Sequence, residues 1–249
     1  MATLSLNTVS TSTRMHRLSH HLPKPTLHSL SLRPLRRSPV KIQAAEVGPT
    51  MVTSSGFSDA IGDALGQVGI FSAATGEEVL IKDLWDQDEG MAVVALLRHF
   101  GCPCCWELAS VLRDSKSKFE LSGVKLVAIG VGTTDKARIL AERLPFPLEN
   151  LYADPGRKAY DVMGLYYGLA RTFFNPASTK VFSRYESLKE AVKNYTIKAT
   201  PDDRSSVLQQ GGMFVFKGTK LVYARKDEGT GDHAPLDDIL DVCCKVAIA

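Results

Sequence analysis

Acidic residues are absent from the first 45 positions, although the chain of 249 residues contains 27 of them. The same stretch has seven Lys and Arg residues and is dense in Ser and Thr, with an early Ser/Thr run from Thr8 to Thr13. Such a leader is typical of an organelle transit peptide, and the lack of an apolar h-region excludes a secretory signal. We therefore expect residues 1–45 to be a disordered chloroplast transit peptide that directs the protein to the stroma. A disordered basic arm that binds nucleic acid is the alternative.

A positive charge excess is also absent once this leader is set aside. The chain has 30 Lys and Arg against 27 Asp and Glu, so removing the seven basic leader residues leaves 23 against 27, a net charge of −4. The rest of the chain thus lacks the basic excess that attracts phosphate backbones, and we expect no nucleic-acid partner for it. No apolar run reaches the roughly 18 residues that a membrane span needs. We predict a linker over residues 46–66 and one domain over 67–249.

Cysteine is missing from most of the chain and occurs in two short clusters. These are Cys102, Cys104 and Cys105, and then Cys243 and Cys244. A secreted disulfide scaffold scatters its cysteines along a shorter chain, so that class is excluded. Clustered cysteines instead indicate redox or metal chemistry.

The hydrophobic pattern predicts an α/β fold. Continuous apolar runs at 91–100 and 124–131 are typical of buried central strands, and each is followed by a segment of helical spacing, 103–121 and 134–144. Short strands are expected at 67–72, 78–81 and 148–152, helices at 155–162, 183–193 and 236–246, and a late hairpin at 213–225. This order predicts a mixed sheet with helices on both faces. In the irregular insertion, residues 164–210, we expect Tyr166, Tyr167, Phe173 and Phe174 to be core residues that cover the sheet, and the alternative is that they line a pocket.

The first cysteine cluster lies where the central strand gives way to a helix. Pro103 suits the first helical position, which makes Cys102 the expected N-cap residue. Unpaired backbone N–H groups there stabilise a thiolate and lower its pKa. Cys105 lies one turn further on in a C-x-x-C spacing, whereas Cys104 points about 100° away from it around the helix. The alternatives are buried structural thiols, or a zinc site completed by Cys243, Cys244, His99 or His233.

Three motifs make residues 66–246 resemble a known family. They are RHFGCPCC at 98–105, LYADP at 151–155 and QGGMFVF at 210–216, and GDH at 231–233 fits the same pattern. The chain resembles the peroxiredoxin-like AhpC/TSA antioxidant branch of the thioredoxin superfamily, in particular its chloroplast thioredoxin-like proteins. The resemblance implies a thioredoxin-like fold and no cofactor or metal. It further implies peroxide or protein disulfide substrates and a plastid thiol reductant such as a thioredoxin or glutathione.

The chain departs from the peroxiredoxin pattern at three supports of the reactive cysteine. In the family motif P-x-x-x-T-x-x-C, the Pro and Thr positions correspond here to Ala95 and His99, and the family's Arg corresponds to Gly211. Arg98 or Arg171 is the expected substitute for that Arg. We therefore expect thiol–disulfide exchange or weak peroxide reduction, with a redox-sensing or partner-binding protein without turnover as the alternative.

Roles at the thiol site are also expected for several further residues. Cys102 is expected to attack and Cys105 to resolve, while His99 is either a base or a histidine bonded to backbone. Gly211 and Gly212 are expected to let a partner chain approach the sulfur. Cys243 or Cys244 is a possible resolving residue, although one buried and one exposed cysteine is the favoured interpretation.

Overall fold

The computed structural model describes residues 50–51 and 55–248. The predicted transit peptide, 1–45, lies outside the described residues. The strands are β1 (Thr50–Met51), β2 (Gly69–Ser72), β3 (Glu78–Leu80), β4 (Met91–His99), β5 (Val124–Val131), β6 (Leu151–Ala153), β7 (Gly212–Lys217) and β8 (Lys220–Lys226). The helices are α1 (Ser55–Gly66), α2 (Pro103–Asp114), α3 (Lys116–Leu121), α4 (Thr134–Arg143), α5 (Lys158–Val162), α6 (Leu169–Phe173), α7 (Lys180–Ser183), α8 (Tyr185–Ala191) and α9 (Leu236–Ile248).

The described strands form one mixed sheet in the order β1-β8-β7-β4-β5-β6-β2-β3. β4, β5 and β6 are parallel, while β7, β8, β1, β2 and β3 join by antiparallel pairing. Every residue of β4 is buried, as expected for a central strand that is covered on both faces. The predicted mixed sheet with flanking helices is confirmed.

Alternate residues of β4 face two separate hydrophobic cores. Val93, Ala95 and Leu97 pack in a core with residues of α2, α3, α4 and α9. Val94 and Leu96 pack in the other core, which includes residues of α1 and α5. The first core contains the cysteine cluster, so the reactive thiols are built into the main packing of the domain.

The predicted linker over 46–66 contains a helix that the sequence analysis missed. Ile61 and Leu65 of α1 are four residues apart and pack on one of the two cores. A Cβ at Gly62 would lie 1.7 Å from the Thr219 carbonyl oxygen, so this glycine lets the helix approach the β7–β8 turn. Glycine here serves close packing, whereas the sequence analysis interpreted it as linker composition.

Other element boundaries differ from prediction by a few residues. The helix expected over 103–121 is broken at Ser115 into α2 and α3, and the strand expected over 148–152 begins with a 3₁₀ turn. The helix expected over 155–162 begins only at Lys158. The cap predicted at Asp154 is therefore wrong, because the N-cap residue is Arg157, although Oδ2 of Asp154 accepts a hydrogen bond from the Ala159 N–H in the first turn at 2.9 Å.

The insertion, residues 164–210, contains α6, α7, α8 and short 3₁₀ turns, and its aromatic residues contradict the prediction of core positions. Tyr167 and Phe173 are exposed, Phe174 is 81% exposed, and Tyr166 is only half-buried. The reason is that both faces of the sheet are already covered by other helices.

Candidate functional site

The junction between β4 and α2 fixes the position of Cys102. The Cys102 N–H donates to the His99 carbonyl at 3.1 Å, and the Cys102 carbonyl accepts from the Cys105 and Trp106 N–H groups at 2.9 and 3.2 Å. These are the first hydrogen bonds of α2, with Pro103 at the start of the helix. The predicted helix start is confirmed, and Cys102 is its N-cap residue.

Three reduced thiols meet at this helix start. Cys102, Cys104 and Cys105 are all free and buried, with Cys102 only 2% exposed. Both neighbouring thiols donate hydrogen bonds to the Cys102 sulfur, and Arg98 and His99 lie close by. These hydrogen bonds, with Cys104 contributing most, hold the pKa of Cys102 well below its ordinary value despite the opposing effect of burial. The geometry thus favours a thiolate at Cys102.

Arg98 supplies the buried cation of the site. Its Nη1 lies 3.3 Å from the Cys102 sulfur, and the guanidinium also donates to the carbonyls of Gln209 at 3.0 Å and Val207 at 2.7 Å. The insertion therefore holds this guanidinium against the thiolate. Of the two arginines named from the sequence, the structure places Arg98 at Cys102, whereas Arg171 lies 4.0 Å over the Tyr166 ring.

Cys105 and Cys104 are both arranged as proton donors to Cys102. The Cys105 sulfur accepts the Arg98 backbone N–H at 3.3 Å, and burial raises the pKa of Cys105. The hydrogen bond to Cys102 likewise raises the pKa of Cys104. From helical geometry alone Cys104 points away from Cys105, yet both reach Cys102 because the N-cap residue lies at the end of the helix, beside its first turn.

His99 is buried next to Cys102 at the end of β4. Burial lowers the pKa of His99 to about 4, and Nδ1 has no hydrogen-bond partner among the described residues. The ring is therefore neutral near pH 7 and is a weak base. It is a poor acceptor for the Cys102 proton, and we assign it no catalytic step.

Gly211 and Gly212 permit close packing within the chain, which differs from the approach of a partner predicted for them. A Cβ at Gly211 would lie 2.3 Å from the Leu96 carbonyl oxygen and 3.1 Å from Oδ2 of Asp227. A Cβ at Gly212 would lie 2.8 Å from the Arg225 carbonyl oxygen. Both glycines are buried, Gly212 as the first residue of β7 and Gly211 directly before it.

The second cysteine cluster follows the favoured interpretation. Cys243 is buried in α9 and Cys244 is exposed, and burial raises the pKa of Cys243 to about 11. Neither sulfur forms a hydrogen bond with Cys102.

Within 50–51 and 55–248, no three His, Cys, Asp or Glu side chains are grouped as a metal ion requires, and no helix is long and apolar enough to cross a membrane.

Four residues complete the surroundings of the site. The Tyr195 hydroxyl donates to the Gly101 carbonyl at 2.8 Å. Thr200 packs so closely against Gly101 that a Cβ on this residue would clash with it. His233 contacts the Cys104 carbonyl oxygen through Nε2 at 3.1 Å and Asp227 through Nδ1 at 3.0 Å. The sequence patterns identify His233 as part of the GDH motif and as an alternative zinc ligand, but not as a neighbour of Cys104. Histidine is rare beyond residue 45, where only His99 and His233 occur, and this rarity could have indicated a functional position for His233.

A thiol at a helix start after the central strand of a mixed sheet, supported by a buried cation, defines a thiol redox protein of the thioredoxin-like class. Residues 111–229 match the family model described as AhpC/TSA antioxidant enzyme. The chain is 35% identical to the chloroplastic thioredoxin-like protein AAED1 of Arabidopsis thaliana, over 84% of this chain and 82% of that protein. The chain therefore belongs to the AhpC/TSA antioxidant family.

Two further similarities extend this assignment. A prostamide/prostaglandin F synthase of Bos taurus is 31% identical over 68% of this chain and 80% of that protein. Peroxiredoxin Q of Xanthomonas campestris shares the fold with a TM-score of 0.52, at 10% identity over 74% of this chain and 94% of that one. The fold is that of the peroxiredoxins, and the resemblance noted from the sequence motifs is confirmed.

Proposed function

We propose that the protein is a thiol oxidoreductase in which Cys102 attacks a peroxide or a disulfide and Cys105 resolves the product. The observation that carries this proposal is the guanidinium of Arg98 at 3.3 Å from the Cys102 sulfur, together with two thiols that donate to the same sulfur. This arrangement supports a thiolate in a buried place, where an isolated anion is costly. Arg98 thereby takes the place of the family's Arg at the position of Gly211.

Each step balances without a cofactor. With a peroxide, the Cys102 thiolate attacks one oxygen, the O–O bond breaks, and the other oxygen leaves as an alcohol or water after taking a proton. The Cys105 thiol then attacks the resulting sulfenic acid, which releases water and forms the Cys102–Cys105 disulfide. A dithiol such as a plastid thioredoxin, or two glutathione molecules, returns two electrons and two protons. With a protein disulfide, the Cys102 thiolate attacks one sulfur, the substrate S–S bond breaks and the other sulfur leaves as a thiol after taking a proton. The Cys105 thiol then gives up its proton and attacks the Cys102 sulfur of the mixed disulfide, which releases the second substrate thiol and forms the Cys102–Cys105 disulfide.

Steady-state turnover and the midpoint potential of the Cys102–Cys105 couple test this function. We expect turnover with hydrogen peroxide, a lipid peroxide or a protein disulfide when thioredoxin or glutathione is supplied. The lipid peroxide is included because the bovine relative is named a prostaglandin F synthase. Cys105→Ser should trap mixed disulfides. Absence of turnover with all three substrates, in protein whose Cys102 alkylates readily, would contradict an enzymatic role.

A second candidate is a redox sensor that uses the same thiols without turnover. Its support is the burial of the site, since Cys102 is almost inaccessible and the insertion covers Gly101 through Tyr195 and Thr200. A sensor forms the disulfide once per oxidant pulse and is reduced slowly. Rapid mixing with excess peroxide and excess thioredoxin or glutathione distinguishes the two, because an enzyme then shows continuous peroxide consumption and a sensor shows a single stoichiometric burst.

We also propose that the protein works in the chloroplast, with a mature N-terminus between Ile42 and Val47. The support is the acid-free leader and the chloroplastic Arabidopsis relative. N-terminal sequencing of the organellar protein tests this. Recovery of a chain that starts at Met1 from plants would contradict it.

A further inference from the structure

The loop between β8 and α9 brings a buried acid and a buried histidine against the first turn of α2. His233 Nδ1 lies 3.0 Å from Oδ2 of Asp227, and both side chains are 3% exposed. On its other side, His233 Nε2 lies 3.1 Å from the Cys104 carbonyl oxygen. Neither residue takes part in the proposed catalytic steps. His233, which is held by Asp227, nevertheless contacts the backbone between Cys102 and Cys105.

The two contacts fix where the protons lie. A carbonyl oxygen only accepts hydrogen bonds, so Nε2 must carry a proton and donate it to Cys104. The contact between Nδ1 and Asp227 needs a second proton, held by either the ring or the carboxyl group. The pair therefore holds two protons in this geometry. If one is lost, either the contact with Asp227 or the contact with Cys104 becomes a repulsion between lone pairs.

Gly211 makes room for this pair. The Asp227 N–H donates to the Gly211 carbonyl at 3.0 Å, and a Cβ at Gly211 would lie 3.1 Å from the Asp227 carboxylate and 3.5 Å from the Arg98 nitrogen. A side chain at this position would clash with the Leu96 carbonyl oxygen, which a Cβ would approach to 2.3 Å, and would also press on the Asp227 carboxylate. Gly211, which stands where the family has arginine, therefore leaves space for the Asp227–His233 pair beside the first turn of α2. Arg98 provides the cation at the Cys102 sulfur instead.

We propose that Asp227 and His233 are positioning residues that hold the first turn of α2, and with it the three thiols, and that this hold is released when the pair loses its second proton as the pH rises. The proposal rests on the proposed function of the same site. Neither residue touches a sulfur, so both act through the Cys104 carbonyl.

The charges around His233 set the direction of this transition. Burial lowers the pKa of His233, but Asp227 opposes burial more strongly, and the net result is a pKa above the ordinary value. The groups that face the pair are Cys102 and Glu107 on the α2 side, Arg184 between α7 and α8, and Arg225 and Asp232 on or after β8. Because the folded pKa is raised, the stabilising effect is complete below about pH 6.5 and is lost as the pH rises through the folded pKa.

Nuclear magnetic resonance of the full chain tests the proposal without any assay of activity. The His233 ring signals, assigned by their loss in His233→Gln, should titrate above the ordinary value of about 6.5. The amide nitrogen of Cys105 shares a peptide group with the Cys104 carbonyl, so its shift should titrate at the same pH. In His233→Gln, whose amide still donates to this carbonyl but does not titrate, the step at Cys105 should disappear.

Asp227→Asn and Asp232→Asn form a matched pair of variants in the same loop. Asp232 is buried but bonds to Lys180, Arg225 and the Glu228 N–H, with no bond to His233. Asp227→Asn should bring the His233 pKa below about 6.5, because burial and Arg184 then lower it and only Cys102 still opposes them. Asp232→Asn should leave it above that value.

Three outcomes would overturn the proposal: a His233 pKa at or below 6.5 in the wild type, an unchanged Cys105 step in His233→Gln, or equal effects of the two Asn variants. Each can occur while Cys102 keeps full turnover, so this inference can fail and leave the proposed function intact. A wild type without turnover that still shows the coupled titration would instead remove the enzymatic role alone.

Discussion

The β4–α2 junction and the insertion over 164–210 use the same residue types in opposite ways. At the junction, Trp106 is fully buried and its indole N–H donates to the Phe100 carbonyl at 2.6 Å. In the insertion, Phe174 and Phe182 are about four-fifths exposed, while its inward contacts to the site come from the Val207 and Gln209 carbonyls and the Tyr195 hydroxyl. The insertion therefore contributes polar groups to the site and leaves these large aromatic rings outside, although its smaller Ala199 is buried in the first core.

This contrast shows that hydrophobicity identifies a core residue only where a surface is available to cover it. The sheet offers two faces, of which one is covered by α2, α3, α4 and α9 and the other by α1 and α5. The insertion contributes few side chains to either core, and it supplies hydrogen-bond acceptors to Arg98 instead. The two regions should therefore differ as sharply in energetics as they do in burial.

The largest expected effect is on chemistry at the junction. Cys102→Ser should reduce thiol-dependent turnover by about 10³-fold or more, since the nucleophile is lost. Cys244→Ser, at an exposed cysteine, should retain wild-type turnover. The measurement is steady-state turnover of both variants at equal folded concentration. Full activity of Cys102→Ser would return the cluster to a structural or metal-binding role.

Core truncation should separate the two regions in stability. Trp106→Ala removes a fully buried ring that packs edge-on against Tyr195 and should lower the free energy of unfolding by about 3–5 kcal/mol. Phe174→Ala, in the insertion, should change it by less than about 0.5 kcal/mol. Denaturant unfolding of each variant measures both values. A loss above about 2 kcal/mol for Phe174→Ala would mean that the insertion packs as a core element.

Acid should destabilise the protein at the junction, where His99 lies, and have no such effect in the insertion, which contains no histidine. His99 has a pKa of about 4 when folded and about 6.5 when unfolded, so the unfolded state binds a proton that the folded state excludes. Stability attributable to His99 is intact above pH 6.5 and falls as the pH drops towards 4, by up to about 3 kcal/mol. Unfolding of wild type and His99→Gln across this range measures the effect. Parallel pH profiles would exclude His99 as the cause.

The two arginines give the smallest expected difference. Arg98→Met should raise the pKa of Cys102 and slow its alkylation at mildly acidic pH by about tenfold, which corresponds to one pKa unit. Arg171→Met, which removes the contact with Tyr166 in the insertion, should leave the alkylation rate unchanged. The pH dependence of iodoacetamide labelling, read by mass spectrometry at Cys102, gives both values. Equal effects of the two variants on the alkylation rate would show that an arginine changes the pKa of Cys102 at long range, without contact.

The sequence predicted the central strands, the helix start at Cys102 and the late hairpin closely, because these depend on local patterns. β5 matches its predicted range, since a continuous apolar run between a glycine and a capped helix leaves little choice. The helix α1 was missed because its glycine content resembles a linker, and only packing against the β7–β8 turn explains Gly62. The position of Cys104 beside Cys102 was also missed, because an N-cap residue does not follow the angular spacing of the helix.

The order of residues along the chain determined the fold class, the family and the cysteine cluster at a helix start, since strand runs, caps and motifs are local properties. The tertiary structure alone decided which cation supports the thiolate, because Arg98 is held there by carbonyls more than 100 residues away along the chain. It alone also brought Asp227 and His233 to the Cys104 carbonyl. Such groups meet only after the sheet has closed around them, and no local pattern records which of many distant polar residues will be neighbours.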